Sequence, residues 1–171
     1  EDAGRAFDQS LEIDQEDPET LYCFAVHLQK QYRSKEAKGF FLKASKLAPK
    51  NPLVWTGLAT AQRSLSEFDA AINSCLVALS LDANYLPALN DVGALSVEVE
   101  DYNRAIIYFE RSISLNPVQP RAWFNLGTAY QRSEQLDKAI NAYNQALDHQ
   151  PNSLETIKAL GRTLLNQGNH Q

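Results

Sequence analysis

The sequence predicts an all-α chain of antiparallel helix pairs stacked into a solenoid, and three observations carry that expectation. Apolar and small residues recur at a fixed period of 34, as Leu21, Trp55, Leu89, Trp123 and Ile157 in one series and Ala3, Ala37, Ala71, Ala105 and Ala139 in another. Within a period they fall at i, i+3, i+4 and i+7, which places them on one face of a helix. All seven prolines (Pro18, Pro49, Pro52, Pro87, Pro117, Pro120 and Pro151) lie at the joints between helical stretches. Proline fits there because the first turn of a helix leaves its amide hydrogens unused, whereas in a helix interior the ring clashes.

Taken in order, residues 1–17 read as a second helix without its first, with Ala3, Phe7, Ser10 and Leu11 at helical spacing. The unit 18–51 reads as helices over 19–32 and 35–47, with the stripe Leu21, Phe24, Ala25 and Leu28, then Ala37, Phe41 and Ala44. The unit 52–85 carries Trp55, Leu58 and Ala59, then Phe68, Ala71, Ile72, Cys75 and Ala78. The unit 86–119 carries Leu89, Val92 and Gly93, then Tyr102, Ala105, Ile106 and Phe109; Ser96 and Ser112 are smaller and more polar than the pattern asks. The unit 120–153 carries Trp123, Leu126, Gly127 and Tyr130, then Ala139, Tyr143 and Ala146 before Pro151. Residues 154–171 read as a first helix, with Leu154, Ile157, Leu160, Gly161 and Leu164 in frame and no second helix to cover it. Small residues belong where two backbones approach, so Ala25, Ala59, Gly93, Gly127 and Gly161 are expected to face Ala37, Ala71, Ala105 and Ala139. Both ends of the chain are expected to show apolar surface, and end-to-end self-association would follow from it.

The stretch 120–153 resembles a tetratricopeptide (TPR) repeat, W-x2-L-G-x2-Y followed by A-x3-F and P, with Tyr143 standing for the phenylalanine. The 34-residue frame extends the resemblance over the whole chain without insertion or deletion. It implies a right-handed superhelix, a segment of a larger array, and a non-catalytic scaffold that binds a peptide or partner protein in a concave groove. The alternative it implies is the substrate-recruiting arm of a larger enzyme, such as a glycosyltransferase, whose catalytic domain lies outside this chain. In such arrays the first helices line the groove. That carries the role over to Tyr22, Arg63, Asn90, Asp91, Arg121, Phe124, Asn125, Thr128, Arg132, Lys158 and Arg162. The five positions at which chaperone-binding TPR domains grip a terminal carboxylate hold Asn90, Ala94, Asn125, Glu155 and Ala159, of which one matches. The row that forms an asparagine ladder in O-linked N-acetylglucosamine transferases reads Cys23, Gly57, Asp91, Asn125 and Ala159. Asp91 and Asn125 are therefore the pair expected to hydrogen-bond a peptide backbone.

Charge narrows the partners. Sixteen basic and 21 acidic residues give a net charge of −5, against the basic stripe that nucleic-acid binding needs. No apolar run reaches the ~20 residues that span a bilayer. His27, His149 and His170 share no metal-ligand spacing with Cys, Asp or Glu, and no phosphate loop or nucleophile elbow is present. No catalytic, cofactor or metal residue is assigned. Cys23 and Cys75 are expected to be packing residues, since unpaired cysteine is among the most buried types, and a reducing, cytoplasmic setting is the default.

Overall fold

The computed structural model describes residues 17–168; the helix expected within 1–17 lies outside them. Nine α-helices and no strand occupy the described residues. They are α1 (Pro18–Lys30), α2 (Ser34–Leu47), α3 (Pro52–Ser64), α4 (Phe68–Leu81), α5 (Leu86–Glu98), α6 (Tyr102–Leu115), α7 (Pro120–Arg132), α8 (Leu136–His149) and α9 (Leu154–Gly168). First helices thus start at 18, 52, 86, 120 and 154, and second helices at 34, 68, 102 and 136, with no drift of the 34-residue frame.

Local chemistry fixes these ends. Pro18, Pro52 and Pro120 open α1, α3 and α7, where a missing amide hydrogen costs nothing. Asp17 caps α1 by accepting from the Thr20 amide at 2.6 Å, which holds its carboxyl below the ordinary aspartate value. Asn51 caps α3 from the Leu53 amide at 3.0 Å.

The first helices end by one device, used four times. Tyr32, Ser66, Glu100 and Glu134 take φ of 60–61°, the left-handed region. The next amide then bonds back to a carbonyl five residues earlier: Arg33 to Leu28 at 3.0 Å, Glu67 to Gln62 at 3.0 Å, Asp101 to Ser96 at 2.8 Å and Gln135 to Tyr130 at 2.9 Å. Each left-handed residue itself bonds three back, as in Tyr32 to Gln29 at 2.9 Å. This is the Schellman arrangement, built without glycine. It stops α1 at Lys30, two residues before the 32 expected from the apolar pattern, because the chain has already reversed at Tyr32.

The chain divides into two compact units, Glu1–Ala88 and Leu89–Gln171, with the division falling inside α5. In the first, α1 packs on α2, α2 on α3, and α3 on α4. Ala25, Leu28, Ala37, Phe41, Leu58 and Ala61 form its main cluster, with Tyr22, Phe24, Phe40 and Trp55 packed against it. Tyr22 meets Phe41 edge-on at 5.5 Å, and Phe24 meets Phe40 at 4.7 Å. Lys38 on α2 pairs with Glu67, just before α4, at 2.6 Å. Cys75 is buried as expected, whereas Cys23 is exposed and takes no part in the core, because position 23 turns off the apolar stripe of α1.

In the second unit α6 packs on α7, α7 on α8, and α8 on α9. Phe109, Ile113, Leu126, Tyr130 and Tyr143 form its core with Ala105, Ala122, Ala129, Ala139 and Ala142. Here the absence of a side chain is a packing requirement. A Cβ on Gly93 would come within 2.7 Å of the Phe109 ring, and one on Gly127 within 2.6 Å of the Tyr143 ring. In the first unit Gly57 on α3 makes a further close approach, where a Cβ would come within 2.5 Å of the Phe41 ring, while Ala25 and Ala59 of the expected row are buried. Gly161 on α9 has nothing within 4 Å of its Cβ direction. The same helix leaves Leu154, Ile157, Leu164 and Leu165 exposed. Of the two undersized serines, Ser112 receives a hydrogen bond from Gln119 Nε2 at 3.2 Å, while the fully buried Ser96 hydroxyl has no partner.

Four variants, each read by chemical unfolding, test this account. Glycine to alanine inside a helix normally gains about 0.5–1 kcal/mol. Gly39→Ala, with open space around it, should show that gain, whereas Gly127→Ala should lose about 1–3 kcal/mol by overpacking against Tyr143. Equal effects at both sites would refute the ring-to-glycine packing. Glu134→Gly should stabilise by about 0.5–1 kcal/mol, since a side chain in the left-handed region costs roughly 1–2 and glycine returns part of that as unfolded-state entropy. Ser96→Ala should raise stability by about 1 kcal/mol, removing a buried hydroxyl that finds no partner.

Candidate functional site

On α7, Arg121, Phe124, Asn125, Thr128 and Arg132 recur at i, i+3, i+4, i+7 and i+11, a single stripe ~16 Å long. The opposite stripe, with Ala122, Leu126, Ala129 and Tyr130, is buried in the core. Leu126 and Tyr130 thus hold the helix down while the first stripe stays accessible: Arg121 and Arg132 are exposed, and Phe124, Asn125 and Thr128 are half-buried. On α9, Lys158 and Arg162 stand one turn apart, both exposed, and Thr156 and Thr163 are buried.

These two stripes face each other across a cleft of about 720 Å³. Phe124, Leu154 and Ala159 give it apolar surface; Thr128, Gln131 and Asn166 give it neutral polar groups; Arg132, Lys158 and Arg162 face a single carboxylate, Glu155. The local charge is positive in a chain whose net charge is −5. A second cleft of about 310 Å³ shares Phe124 and Glu155 with the first and continues to Arg121, Asn125, Gln150 and Ser153.

The floor is rigid. The Phe124 ring lies 5.8 Å from that of Tyr143, tilted by 45°. The Tyr143 hydroxyl donates to Gln131 Oε1 at 2.8 Å and lies 3.3 Å from Thr128 Oγ1. Burial pushes the Tyr143 phenol up, against the opposing effects of Thr128 and Arg132, so it stays a neutral donor. Thr128 in turn donates to the Phe124 carbonyl at 3.1 Å.

Of the residues expected to line a groove, Arg121, Phe124, Asn125, Thr128, Arg132, Lys158 and Arg162 are brought together in these adjoining clefts. Asn90 and Asp91 line neither. Asn90, half-buried on α5, donates to Gln119 Oε1 at 3.0 Å, and Gln119 reaches on to the Ser112 and Asn116 carbonyls at 3.0 and 2.7 Å. Asn90 is thereby tied to the joint before α7. Tyr22 and Arg63 belong to the first unit. Tyr22 packs edge-on against Phe41, and burial first, then Tyr85 and Cys23, raise its phenol above the ordinary value; Arg63 is exposed in the last turn of α3. Tyr143 was assigned to packing alone by the sequence, yet its hydroxyl fixes Gln131 in the cleft. The signal was present: Tyr143 stands where Phe41 and Phe109 stand in frame, and only a tyrosine carries a polar atom beyond the core. Glu155 and Ala159 stand at positions that the resemblance to chaperone-binding domains had pointed to, whereas Asn166 had no comparable signal, because which side of α9 faces α7 is set by packing.

Among the described residues no group of three His, Cys, Asp or Glu is placed to hold a metal ion, and no helix is long and apolar enough to cross a membrane.

The family model described as tetratricopeptide repeat matches residues 92–164. Among curated proteins, the chain is 33% identical over 107 residues to the general transcriptional corepressor trfA of Dictyostelium discoideum, covering 63% of this chain and 8% of that protein. It is 26% identical over 172 residues to the protein O-mannosyl-transferase TMTC3 of Homo sapiens, covering 96% of this chain and 18% of that protein. The chain therefore spans less than a fifth of the length of either relative. Among solved structures it is similar to YrrB, described as a TPR protein with an unusual peptide-binding site. The TM-score is 0.78 at 21% identity, over 97% of this chain and 86% of that one. The family match over residues 92–164, the 34-residue frame and the paired helices agree on an all-α solenoid fold of tetratricopeptide-repeat type.

Proposed function

We propose that this chain is a non-catalytic protein-interaction scaffold that takes a peptide or a segment of a partner protein into the clefts between α7 and α9. The observation that carries this reading is the opposition of two accessible stripes, Phe124, Thr128 and Arg132 on α7 against Lys158 and Arg162 on α9. An apolar floor supplies burial and the rim supplies directed donors, the division of labour that peptide recognition uses. The excess of cations at the rim suits a segment with acidic residues and speeds its encounter. The likeness to YrrB, whose description names a peptide-binding site, supports the same reading. The chain's acidic balance argues against a nucleic-acid partner, and no membrane partner is proposed.

A second reading, the recruiting arm of a larger enzyme, draws support from the match to a protein O-mannosyl-transferase. It leaves the cleft's role unchanged and differs only in what is attached. Sequence on either side of these residues decides between them.

The test is capture of proteins from lysate by the chain and by an Arg132→Glu, Arg162→Glu variant, with circular dichroism showing both folded. Both arginines are exposed, so the variant is expected to keep its stability within ~0.5 kcal/mol. A protein held by the parent chain and lost, at least tenfold, from the variant supports the cleft. Equal capture by both, or none by either, refutes it.

A further inference from the structure

A third cavity lies on the other side of α7. The second helices α6 and α8 both rest on α7, and between them opens a slot of about 430 Å³. Trp123, Leu126, Ile113 and Ala142 form an apolar floor. The Trp123 indole nitrogen donates to the Pro117 carbonyl at 2.9 Å, so the ring is oriented with its polar edge satisfied. Tyr130 closes one end and is held from two directions: its hydroxyl donates to the Glu110 carboxylate, and Lys138 Nζ stands 5.3 Å over its ring. Glu110 and Lys138, both exposed, therefore flank the slot at one end with opposite charges. Neutral Ser114, Asn141 and Gln145 edge the rest.

The fold does not demand this decoration. Sixty-eight residues earlier, two periods away, the positions of Glu110, Tyr130 and Lys138 hold Leu42, Gln62 and Ala70. There the buried Gln62 side chain is satisfied inside the core by the Ser74 hydroxyl at 2.7 Å. The same backbone frame is thus built once with an inward-facing amide and once with a charged pair around an aromatic ring at a slot mouth.

We infer that the slot is a docking site for an amphipathic helix of a partner protein, which seats one large apolar side chain on the Trp123–Leu126 floor. Lys138, Asn141, Ala142 and Gln145 run along two turns of α8, a length of ~10 Å that matches the i, i+3 and i+4 anchors of a helix in a groove. The charges orient it. A basic residue of the partner meets Glu110, an acidic one meets Lys138, and uncharged residues face Ser114 and Gln145. This site is independent of the cleft between α7 and α9.

Selection of displayed 14-residue amphipathic helices against the full chain tests the inference. Recovered helices are expected to share Trp, Phe or Leu on the apolar face, with a basic and an acidic residue beside it. Their affinity is expected to fall at least tenfold for Ser114→Trp and for Gln145→Trp, exposed edge positions from which the new ring fills the slot. It is expected to stay within twofold for Arg132→Glu with Arg162→Glu. Lys138→Glu should weaken the acidic-flanked helices and favour basic ones. Circular dichroism melts verify that each variant folds. Recovery of no helix, of helices indifferent to both tryptophan variants, or of helices lost with the arginine pair overturns the proposal. So does a concentration-dependent sedimentation mass abolished by Ser114→Trp, which would make a second copy of this chain the occupant.

Discussion

The chain reverses direction between the helices of a pair through a Schellman turn, whose longer hydrogen bond runs from the residue after the left-handed position back to a carbonyl five positions earlier. It recurs at Arg33, Glu67, Asp101 and Gln135, and the geometry downstream follows from it. The turn lets three residues separate the helices of each pair, so every second helix begins at the same angular phase relative to its first. The small residues Ala37, Ala105 and Ala139 then arrive buried at the inter-helix seam, and the rings of Phe109 and Tyr143 arrive over glycine. The conformation is costly for Tyr, Ser and Glu, and it persists because packing on both sides over-determines it.

With the backbone frame fixed so tightly, the two faces of α7 are left to do different things. One face carries Leu126, Ala129 and Tyr130 into the core, and the edges of that buried stripe surface as the slot floored by Trp123. The other carries Phe124, Thr128 and Arg132 to the cleft opposite α9. Tyr143 links the two levels. Its ring fills the hole over Gly127, and its hydroxyl reaches through to position Gln131. Stability and recognition thus meet in one side chain, and the rigidity of the cleft floor is borrowed from the core.

The fold was legible because its determinants are periodic: the series through Trp123, Gly127 and Ala139, and the prolines at Pro52 and Pro120, mark helix starts and seams without reference to tertiary structure. The turns were not legible, since Tyr32, Ser66, Glu100 and Glu134 share no side-chain chemistry and none is glycine. The demand falls on backbone angles that a sequence pattern does not display. Gly57 escaped for a related reason. The ring it accommodates, Phe41, belongs to the preceding helix pair, so the contact crosses the boundary within which the periodic reading looked. That Arg121, Asn125 and Lys158 stay off the buried stripe could be read by subtraction from the apolar pattern. Asn90 could not, because its tie to Gln119 depends on where the next joint passes.

The constant 34-residue spacing has a bearing on how such a chain can change over time. Each residue added to or removed from a helix turns everything beyond it by ~100°. A single-codon deletion in α8 ahead of Tyr143 would swing Tyr143 away from Gly127 and bring polar Asn144 into its place at the seam. Loss or gain of a whole unit, by contrast, restores the phase of every later helix. Heritable length variation in this chain is therefore expected in steps of one helix pair, while substitutions at exposed positions such as Glu110, Lys138 and Arg162 leave the frame intact and alter only what it binds.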